Sequence, residues 1–290
     1  MTNRPKICIP ITSVTRDEIT ETARKFATLP AEMVEWRVDF FAGYEREIPA
    51  VTKELKEILG NKELITTIRT THEGGESNGD RFPYKETICK ILTDGKTDYI
   101  DVEIYRGKNI VSEVVSKAKE NGVKVIGSYH NFEKTPSQEE LTDVLEEARE
   151  LGVDIGKAAC MPAGSDEEQW EDVMRLLSVT EKMCEMHPEF PLITMSMGKA
   201  GEMSRLYGGL YGSIVSFGCA GKASAPGQIE LDAMMAVFDK IYAGGDQISL
   251  IGFMGVGKST ISHKLHELTG RPEVDTDKRI VEEQGCPIPR

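Results

Sequence analysis

The stretch Asp154-Ile155-Gly156-Lys157-Ala158-Ala159-Cys160 is a short apolar run with a lysine at its centre. It follows a helical pattern from Ser137 to Leu151, and Gly152 comes directly after that pattern. A helix that leads into a buried strand is the repeating unit of α/β proteins. A cation is costly to bury, so Lys157 is expected to be either neutral and reactive or paired with an anion.

Working outward, runs of the same kind recur along most of the chain, with helical patterns between them. Each run is short, β-branched or apolar, and bounded by turn residues, which is typical of strands buried on both faces. The predicted strands are Lys6–Thr12, Met33–Phe41, Glu63–Thr70, Tyr99–Tyr105, Lys124–His130, Asp154–Cys160, Pro191–Gly198 and Gly212–Gly218. Apolar spacing of three and four residues predicts helices over Thr15–Leu29, Ile48–Leu59, Ile110–Glu120, Ser137–Leu151, Asp166–Met186 and Gln228–Ile241.

The alternation of strands and helices predicts the fold class. Parallel pairing through helical crossovers, repeated eight times, fits a closed (β/α)₈ TIM barrel better than an open sheet. We predict this α/β barrel over residues 1–243, a linker over 244–246 and the beginning of a second unit over 247–290. In such barrels the chemistry lies at the carboxyl ends of the strands, where six of the eight runs carry a polar or ionisable residue.

Composition narrows the class of protein. With 290 residues, 39% of them apolar and 29% charged, the chain is expected to be globular. A net charge of -13 argues against nucleic acid or an anionic membrane as a partner. Six cysteines without zinc-type spacing and an amino terminus without an apolar signal stretch favour the reducing cytoplasm. No apolar run approaches the roughly 18 residues of a membrane span.

Two predicted strands bring charged residues to the barrel mouth. Glu35 and Arg37 lie on one face of the second strand because side chains alternate. They are either an ion pair that lines the barrel or a fork for substrate hydroxyls. Arg69 ends the third strand, and Glu73 follows it beside flexible glycines, in a loop that is otherwise a simple turn.

His130 ends the strand that precedes the one bearing Lys157. A lone histidine is more often structural than catalytic, but neighbouring strands lie about 5 Å apart, so the imidazole can reach the lysine nitrogen. Burial beside arginines is expected to favour the neutral, nucleophilic amine of Lys157. Attack on a ketone would give an iminium, and His130, held by Glu73, is the predicted base for the elimination that follows.

Further pocket residues are predicted beyond the last two strands. Met195 and Met197 are either core filler or pocket wall. Arg205 is placed to clamp a substrate carboxylate in a bidentate fork. Ser224 and Gln228 belong to a loop of small residues that can approach a ligand closely.

In combination these stretches resemble the type I 3-dehydroquinate dehydratases, the Schiff-base enzymes of the shikimate pathway. The matching segments, in chain order, are EWRVDFF at Glu35, the Arg69–Glu76 segment, DVE at Asp101, SYHNF at Ser128, GKAAC around Lys157, ITMSMG at Ile193, Arg205, and KASAPGQ at Lys222. The resemblance implies that Lys157 forms an imine with 3-dehydroquinate, that His130 is the acid and base of a dehydration to 3-dehydroshikimate, and that Glu73 is its partner.

The same resemblance implies a substrate site, a homodimer, and no metal or organic cofactor. It assigns substrate binding to Glu35, Arg37, Arg69, Arg205, Ser224 and Gln228, and pocket wall to Phe132, Met195, Met197 and Phe217. One departure is in the first strand, where some members place a substrate-contacting serine and this chain has Pro10. Thr12 or Ser13 is expected to substitute for it.

The tail carries a separate motif. Gly252-Phe253-Met254-Gly255-Val256-Gly257-Lys258-Ser259 fits the phosphate-loop pattern and leads into a helix-like run, Thr260–Thr269. Such glycines let backbone amides cradle phosphates, while a lysine meets the outer phosphates and a serine binds Mg²⁺. The tail resembles the beginning of a shikimate kinase, which assigns nucleotide binding to Gly252, Gly255, Gly257, Lys258, Ser259 and Thr260, and shikimate binding to Asp277.

This tail is too short to bury the core of a phosphate-loop domain. We therefore expect weak or no nucleotide binding and no kinase turnover, with ATP and Mg²⁺ relevant only to a complete kinase. Its apolar strand is expected either to be poorly ordered or to pack against the barrel or a second copy. The rival functions are an aldolase-type barrel enzyme that uses the same lysine chemistry, and a bifunctional parent protein that also phosphorylates shikimate.

Overall fold

The computed structural model describes residues 4–76, 82–221, 223–242, 250, 257–270 and 272–275. Eight parallel strands form one sheet in the order β7-β6-β5-β4-β3-β2-β1-β8. The strands are β1 (Lys6–Ile11), β2 (Met33–Arg37), β3 (Glu63–Thr67), β4 (Tyr99–Glu103), β5 (Lys124–Asn131), β6 (Ile155–Cys160), β7 (Leu192–Ser196) and β8 (Val215–Phe217).

The sheet closes between its two end strands. Leu192 in β7 bridges in parallel to Ser213, just before β8, and the amide of Ile214 donates to the carbonyl of Leu192 at 2.9 Å. The predicted (β/α)₈ barrel is therefore confirmed.

Helices cover the outside of the barrel. They are α1 (Arg16–Ala27), α2 (Ile48–Leu59), α3 (Tyr84–Asp94), α4 (Lys108–Glu120), α5 (Gln138–Glu150), α6 (Asp166–Met186), α7 (Glu202–Tyr207), α8 (Leu231–Ile241) and α9 (Lys258–Thr269). The predicted capping of α5 is confirmed, since the Ser137 side chain accepts from the Glu140 amide and the Glu140 side chain accepts from the Ser137 amide.

The structure adds two helices and shortens several predicted strands, among them the second, which ends at Arg37 rather than Phe41. The sequence patterns did not predict α3, nor α7, whose six residues are too short to show a helical period. The eighth strand is only Val215–Phe217, because Gly212 takes a left-handed conformation and Ser213 bonds sideways to β7.

Two apolar cores lie on opposite sides of the strands. One fills the space between strands and helices, and the other lies inside the barrel. The inner core is formed at the start of the strands by residues such as Met33, Ile65, Tyr99, Ile126 and Ile155. Since side chains alternate, the residues two and four positions later also face inward, and these carry the polar groups of the mouth.

The tail helix packs on the outside of the barrel. Ile261 and Leu265 of α9 are buried in one cluster with Val173 and Leu177 of α6 and with Tyr211. Lys264 of α9 forms an ion pair with Glu181 of α6. The predicted apolar strand of the tail lies, apart from Leu250, outside the described residues. Among the helices of the described ranges, none has the length and apolar character needed to span a membrane.

Candidate active site

A cavity of about 200 Å³ opens at the carboxyl ends of the strands. All thirteen residues that the sequence predicted for the barrel site line it. They are Glu35, Arg37, Arg69, Glu73, His130, Phe132, Lys157, Met195, Met197, Arg205, Phe217, Ser224 and Gln228. The structure therefore brings the predicted set together, while the role of each residue stays a prediction.

Lys157 lies deep in this cavity and is 4% exposed. Its Nζ is 3.1 Å from Oδ2 of Asp101 and 3.8 Å from Oε1 of Glu35, and 4.6 Å from the ring centre of Phe217. Arginines line the same cavity, as expected, but the groups nearest to the amine are carboxylates from inward-facing positions of β2 and β4. Of the two states expected for a buried lysine, the structure shows the paired one.

His130 stands one inward position above Lys157. In the β5–β6 ladder Ser128 is opposite Lys157 and His130 is opposite Ala159. Nδ1 of His130 is 2.8 Å from Oε2 of Glu73, so the predicted pair of imidazole and carboxyl group is present. The other ring nitrogen is therefore the one left for proton transfer.

Burial controls the charge of this pair. It lowers the pKa of His130 well below the usual value, and repulsion from Arg69, Lys157 and Arg37 acts in the same direction. Burial also raises the pKa of Glu73 to about 8, although Arg69 opposes the rise. Near neutral pH both groups favour their uncharged forms, and Glu73 ionises only as the pH passes about 8.

Arg69 connects the two halves of the site. Its Nη2 donates to Oδ1 of Asp101 at 2.7 Å, and its Nη1 donates to Ser128 at 2.9 Å, to Glu103 at 3.3 Å and to Glu73 at 3.4 Å. Arg69 thus contacts both the carboxylate that holds Lys157 and the carboxyl group that holds His130. Its guanidinium is occupied by protein groups, so its predicted contact with substrate would require some of these bonds to be exchanged.

Asp101, Glu103 and Ser128 were not assigned to the site from the sequence. Asp101 and Glu103 lie two and four residues after the inward-facing Tyr99 along β4, and Ser128 precedes His130 by two residues on β5. The period of two that placed Glu35 and Arg37 on one face would have identified all three as inward-facing. They form the buried polar layer beneath the residues of the mouth.

Arg37 and Arg205 lie at the mouth in different surroundings. Arg37 donates to both oxygens of Asp39, at 2.8 and 2.7 Å, so the alternative of an ion pair with Glu35 is wrong. Glu35 instead accepts from the hydroxyl of Thr67 at 2.8 Å.

Arg205 has only weak partners. It donates to the carbonyls of Phe217 and Pro226, at 3.2 and 3.1 Å, and to the sulfur of Met195. Within the described part of the chain its Nε has no hydrogen-bond partner and no carboxylate pairs with it. Burial lowers its pKa to about 10, which still leaves it charged at neutral pH. A buried cation without a counter-ion suits an anionic ligand group.

The remaining predicted residues form the wall and cover of the cavity. Ser224 and Gln228 bond to each other, since Oε1 of Gln228 accepts from the Ser224 amide at 2.7 Å and Nε2 donates to the Ser224 hydroxyl at 3.0 Å. Phe132 lies against Gly74, whose φ of 77° and lack of a Cβ permit a contact that any side chain would block. Met195 and Met197 are buried in the inner core and also line the cavity.

The expected substitutes for the missing first-strand serine do not reach the cavity. Pro10 is in register with Glu35 of β2. The hydroxyl of Ser13 bonds to that of Thr22 in α1, at 3.0 Å, and neither Thr12 nor Ser13 lines the cavity. That expectation was therefore wrong, because the chain turns outward toward α1 after β1.

The residues predicted for nucleotide binding are not part of this cavity. Gly257 has a φ of 74°, and Lys258, Ser259 and Thr260 are the first three residues of α9 on the outside of the barrel. Gly252, Gly255 and Asp277 lie outside the described residues, as does the predicted linker 244–246. The predicted division at 243 and 247 therefore stays a prediction.

Comparison with known proteins agrees with this arrangement. The family model for type I 3-dehydroquinase matches residues 7–244. The chain belongs to the type I 3-dehydroquinase family. It is accordingly an enzyme, and the match covers the barrel with every residue of its mouth cavity.

Individual relatives support the dehydroquinase assignment. The 3-dehydroquinate dehydratase of Clostridioides difficile is 38% identical over 241 residues, covering 82% of this chain and 92% of the relative. That of Klebsiella pneumoniae is 40% identical over 236 residues, covering 80% and 92%. A crystal structure of type I 3-dehydroquinate dehydratase from Clostridium difficile, with covalently modified comenic acid, superimposes with a TM-score of 0.76 at 38% identity and covers 82% of this chain and 92% of its own.

Proposed function

We propose that this chain dehydrates 3-dehydroquinate to 3-dehydroshikimate, in the shikimate pathway, through a Schiff base on Lys157. The observation that carries the proposal is a buried lysine amine in the same cavity as the His130–Glu73 pair. The names of the relatives supply the substrate. The buried Arg205 at the mouth is in keeping with an anionic group on it, and the polar lining residues are in keeping with hydroxyl groups.

The first step is condensation of the Lys157 amine with the ring ketone. The ammonium first gives up one proton, and its nitrogen then attacks the carbonyl carbon. A proton returns to the carbinolamine hydroxyl, which leaves as water, and an iminium remains. That cation withdraws electrons and acidifies the adjacent carbon-hydrogen bond. The covalent modification described for the Clostridium difficile structure is in keeping with covalent chemistry in this family.

His130 then moves the proton. Its free ring nitrogen takes the proton from the carbon next to the iminium, which leaves an enamine. The enamine expels the β-hydroxyl, to which the protonated imidazole returns the proton, so that water leaves. Hydrolysis of the iminium releases the enone product and restores the Lys157 amine. In its ionised form Glu73 accepts a hydrogen bond from Nδ1, holds the ring and stabilises its cationic form.

The cations and polar groups of the mouth orient the substrate. We assign the substrate carboxylate to Arg205, because this buried guanidinium contacts only carbonyls and a sulfur among the described residues. The ring hydroxyls are assigned to Glu35, Arg37, Arg69, Ser224 and Gln228. The proposed steps use only side chains of this protein. We therefore expect activity to persist in EDTA without an added cofactor.

Enone absorbance and borohydride trapping test the function together. Adding 3-dehydroquinate should produce the ultraviolet band of an enone, and borohydride should leave a reduced adduct on the peptide that contains Lys157. An adduct that forms with aldol substrates and not with 3-dehydroquinate would establish the rival aldolase. Turnover of 3-dehydroquinate without any adduct on Lys157 would reject the Schiff base while keeping the dehydration.

We propose further that the enzyme is a homodimer of the cytoplasm. Among the described residues, Cys8, Cys89, Cys160, Cys184 and Cys219 are free, which is in keeping with a reducing compartment. Sedimentation equilibrium tests the dimer, and a single species with the mass of one chain at micromolar concentration would contradict it.

For the tail we propose the beginning of a shikimate kinase, without kinase activity in this chain. The motif and the start of α9 directly after Gly257 support the assignment. Trp170 of α6 lies so close to Gly257 that a Cβ there would overlap its indole ring. Titration with Mg²⁺-ATP should give no saturable binding, whereas tight binding lost on truncation after residue 243 would show a working phosphate loop.

A further inference from the structure

Asp101 is buried below the mouth and uses its two oxygens differently. Oδ2 accepts from the Lys157 amine at 3.1 Å. Oδ1 accepts from Nη2 of Arg69 at 2.7 Å and from the hydroxyl of Ser128 at 2.6 Å. The side chain is fully buried, so these protein groups hold one oxygen and leave the other directed at the amine.

The charge of Asp101 is held by the same contacts. Burial alone would raise its pKa, but Arg69, Lys157 and the Ser128 hydroxyl bring it down to about 2. Asp101 is therefore ionised throughout the working pH range. It is also too weak a base to take the proton of Lys157, so the general base must be another group.

No other described carboxylate contacts this amine within hydrogen-bond distance. Glu35 is 3.8 Å away and accepts from Thr67 instead. Glu103, two residues further along β4, bonds to Arg69 and to Thr70. Asp101 is thus the group that sets the direction of Nζ.

We propose that Asp101 is the positioning residue of the covalent step, aiming the Lys157 amine at the ketone and serving as the counter-ion of the iminium. This inference rests on the proposed function. The ammonium form of Lys157 and the ketone give iminium and water, so one positive charge faces Asp101 before and after the reaction. The iminium nitrogen keeps one hydrogen, which it donates to Oδ2.

The test compares Asp101→Asn with Glu103→Gln. Both changes neutralise a buried carboxylate on the inner face of β4 that contacts Arg69, but only Asp101 touches Lys157. For Asp101→Asn we expect kcat to fall about 10- to 100-fold, as for loss of a charged hydrogen bond, with KM changed less than about threefold. Borohydride should trap correspondingly less adduct. Glu103→Gln should trap adduct as the parent does.

A measurement without substrate separates this inference from the proposed function. Acetic anhydride is added to each protein over a range of pH, and acetylation of the Lys157 peptide is followed by mass spectrometry. Without its counter-ion the amine loses its proton more easily, so acetylation in Asp101→Asn should begin at lower pH than in the parent and in Glu103→Gln. Equal curves would overturn the inference even if the parent forms the adduct. If the Asp101→Asn curve is shifted but the parent forms no adduct with 3-dehydroquinate, the Schiff base is rejected and the coupling of Asp101 to Lys157 is retained.

Ser128→Ala keeps the carboxylate and removes one of its hydrogen bonds. This variant tests the same inference if circular dichroism shows that Asp101→Asn does not fold. We expect a decrease in kcat of a few-fold and a smaller acetylation shift in the same direction. Parent-like trapping and acetylation in a folded Ser128→Ala protein would contradict the inference.

Discussion

Lys157 in β6 and Lys258 at the start of α9 both follow a glycine within a motif that resembles a known enzyme. Four other strands supply the surroundings of Lys157: carboxylates from β2 and β4, an imidazole from β5 and an aromatic ring from β8. Lys258 begins a single helix whose apolar face is packed against α6. The barrel gathers side chains from several strands around Lys157, whereas Lys258 belongs to one helix that packs on the outside of the barrel.

The largest effect that separates the two regions is expected from Lys157→Ala. Removal of the nucleophile should lower dehydration by about 10⁴-fold or more, measured as enone absorbance. Lys264→Ala is the control, because it removes a lysine that is also paired with a glutamate but lies in the tail helix. Substantial activity without Lys157 would show that the barrel mouth does not work by covalent catalysis.

His130→Ala should have the next largest effect. Loss of a general acid and base costs about 10²- to 10⁴-fold in kcat. The lysine amine remains, so borohydride should still trap the adduct. The exposed His263 of α9, changed to Ala, should leave the rate unchanged. If the His130 variant formed no adduct, the imidazole would be needed before proton removal.

The pH dependence of the barrel site should follow Glu73. Below about pH 8 its carboxyl group is protonated and can donate to Nδ1, which leaves the ring hydrogen on the other nitrogen and removes the base. The kcat/KM value should therefore rise with pH and level off above about 8. Glu73→Gln should lower the plateau and remove this rise. If the Glu73→Gln variant kept the same pH profile, the rise would belong to the titration of another group.

The smallest effect on the rate of dehydration is expected from a substitution in the tail helix α9. Ile261→Asp places a charge in the buried contact between α9 and α6, so the helix should detach. Trp170, which lies against Gly257, should then shift its fluorescence to longer wavelength, while buried Trp36 provides a constant background. Dehydration should change less than about twofold, as for an uncoupled distant site. A large loss of activity would mean that the tail supports the barrel mouth.

Local patterns in the sequence predicted most of the fold. The apolar runs, the helical spacing between them and the capping box at Ser137 each depend on residues near one another in the chain. The six-residue helix α7 and the short strand β8 were not predicted well, because their boundaries depend on contacts with β7 and with the loop before β8. The same limit applied to Ser13, whose hydroxyl turned out to bond to α1.

What the sequence by itself determined is the eightfold alternation of strand and helix, the family, and the thirteen residues of the mouth, because periodicity and motif are properties of neighbouring positions. Only the tertiary structure decided that Lys157 is held by Asp101, and that Arg69 joins this carboxylate to Glu73. The contacts of Asp101 with Arg69 and with Lys157 join residues that are 32 and 56 positions apart, on or just after different strands. The contact of Arg69 with Glu73 spans four positions within a loop. Charge pairing inside a barrel depends on which side chains meet across strands, and that is settled only when the sheet closes.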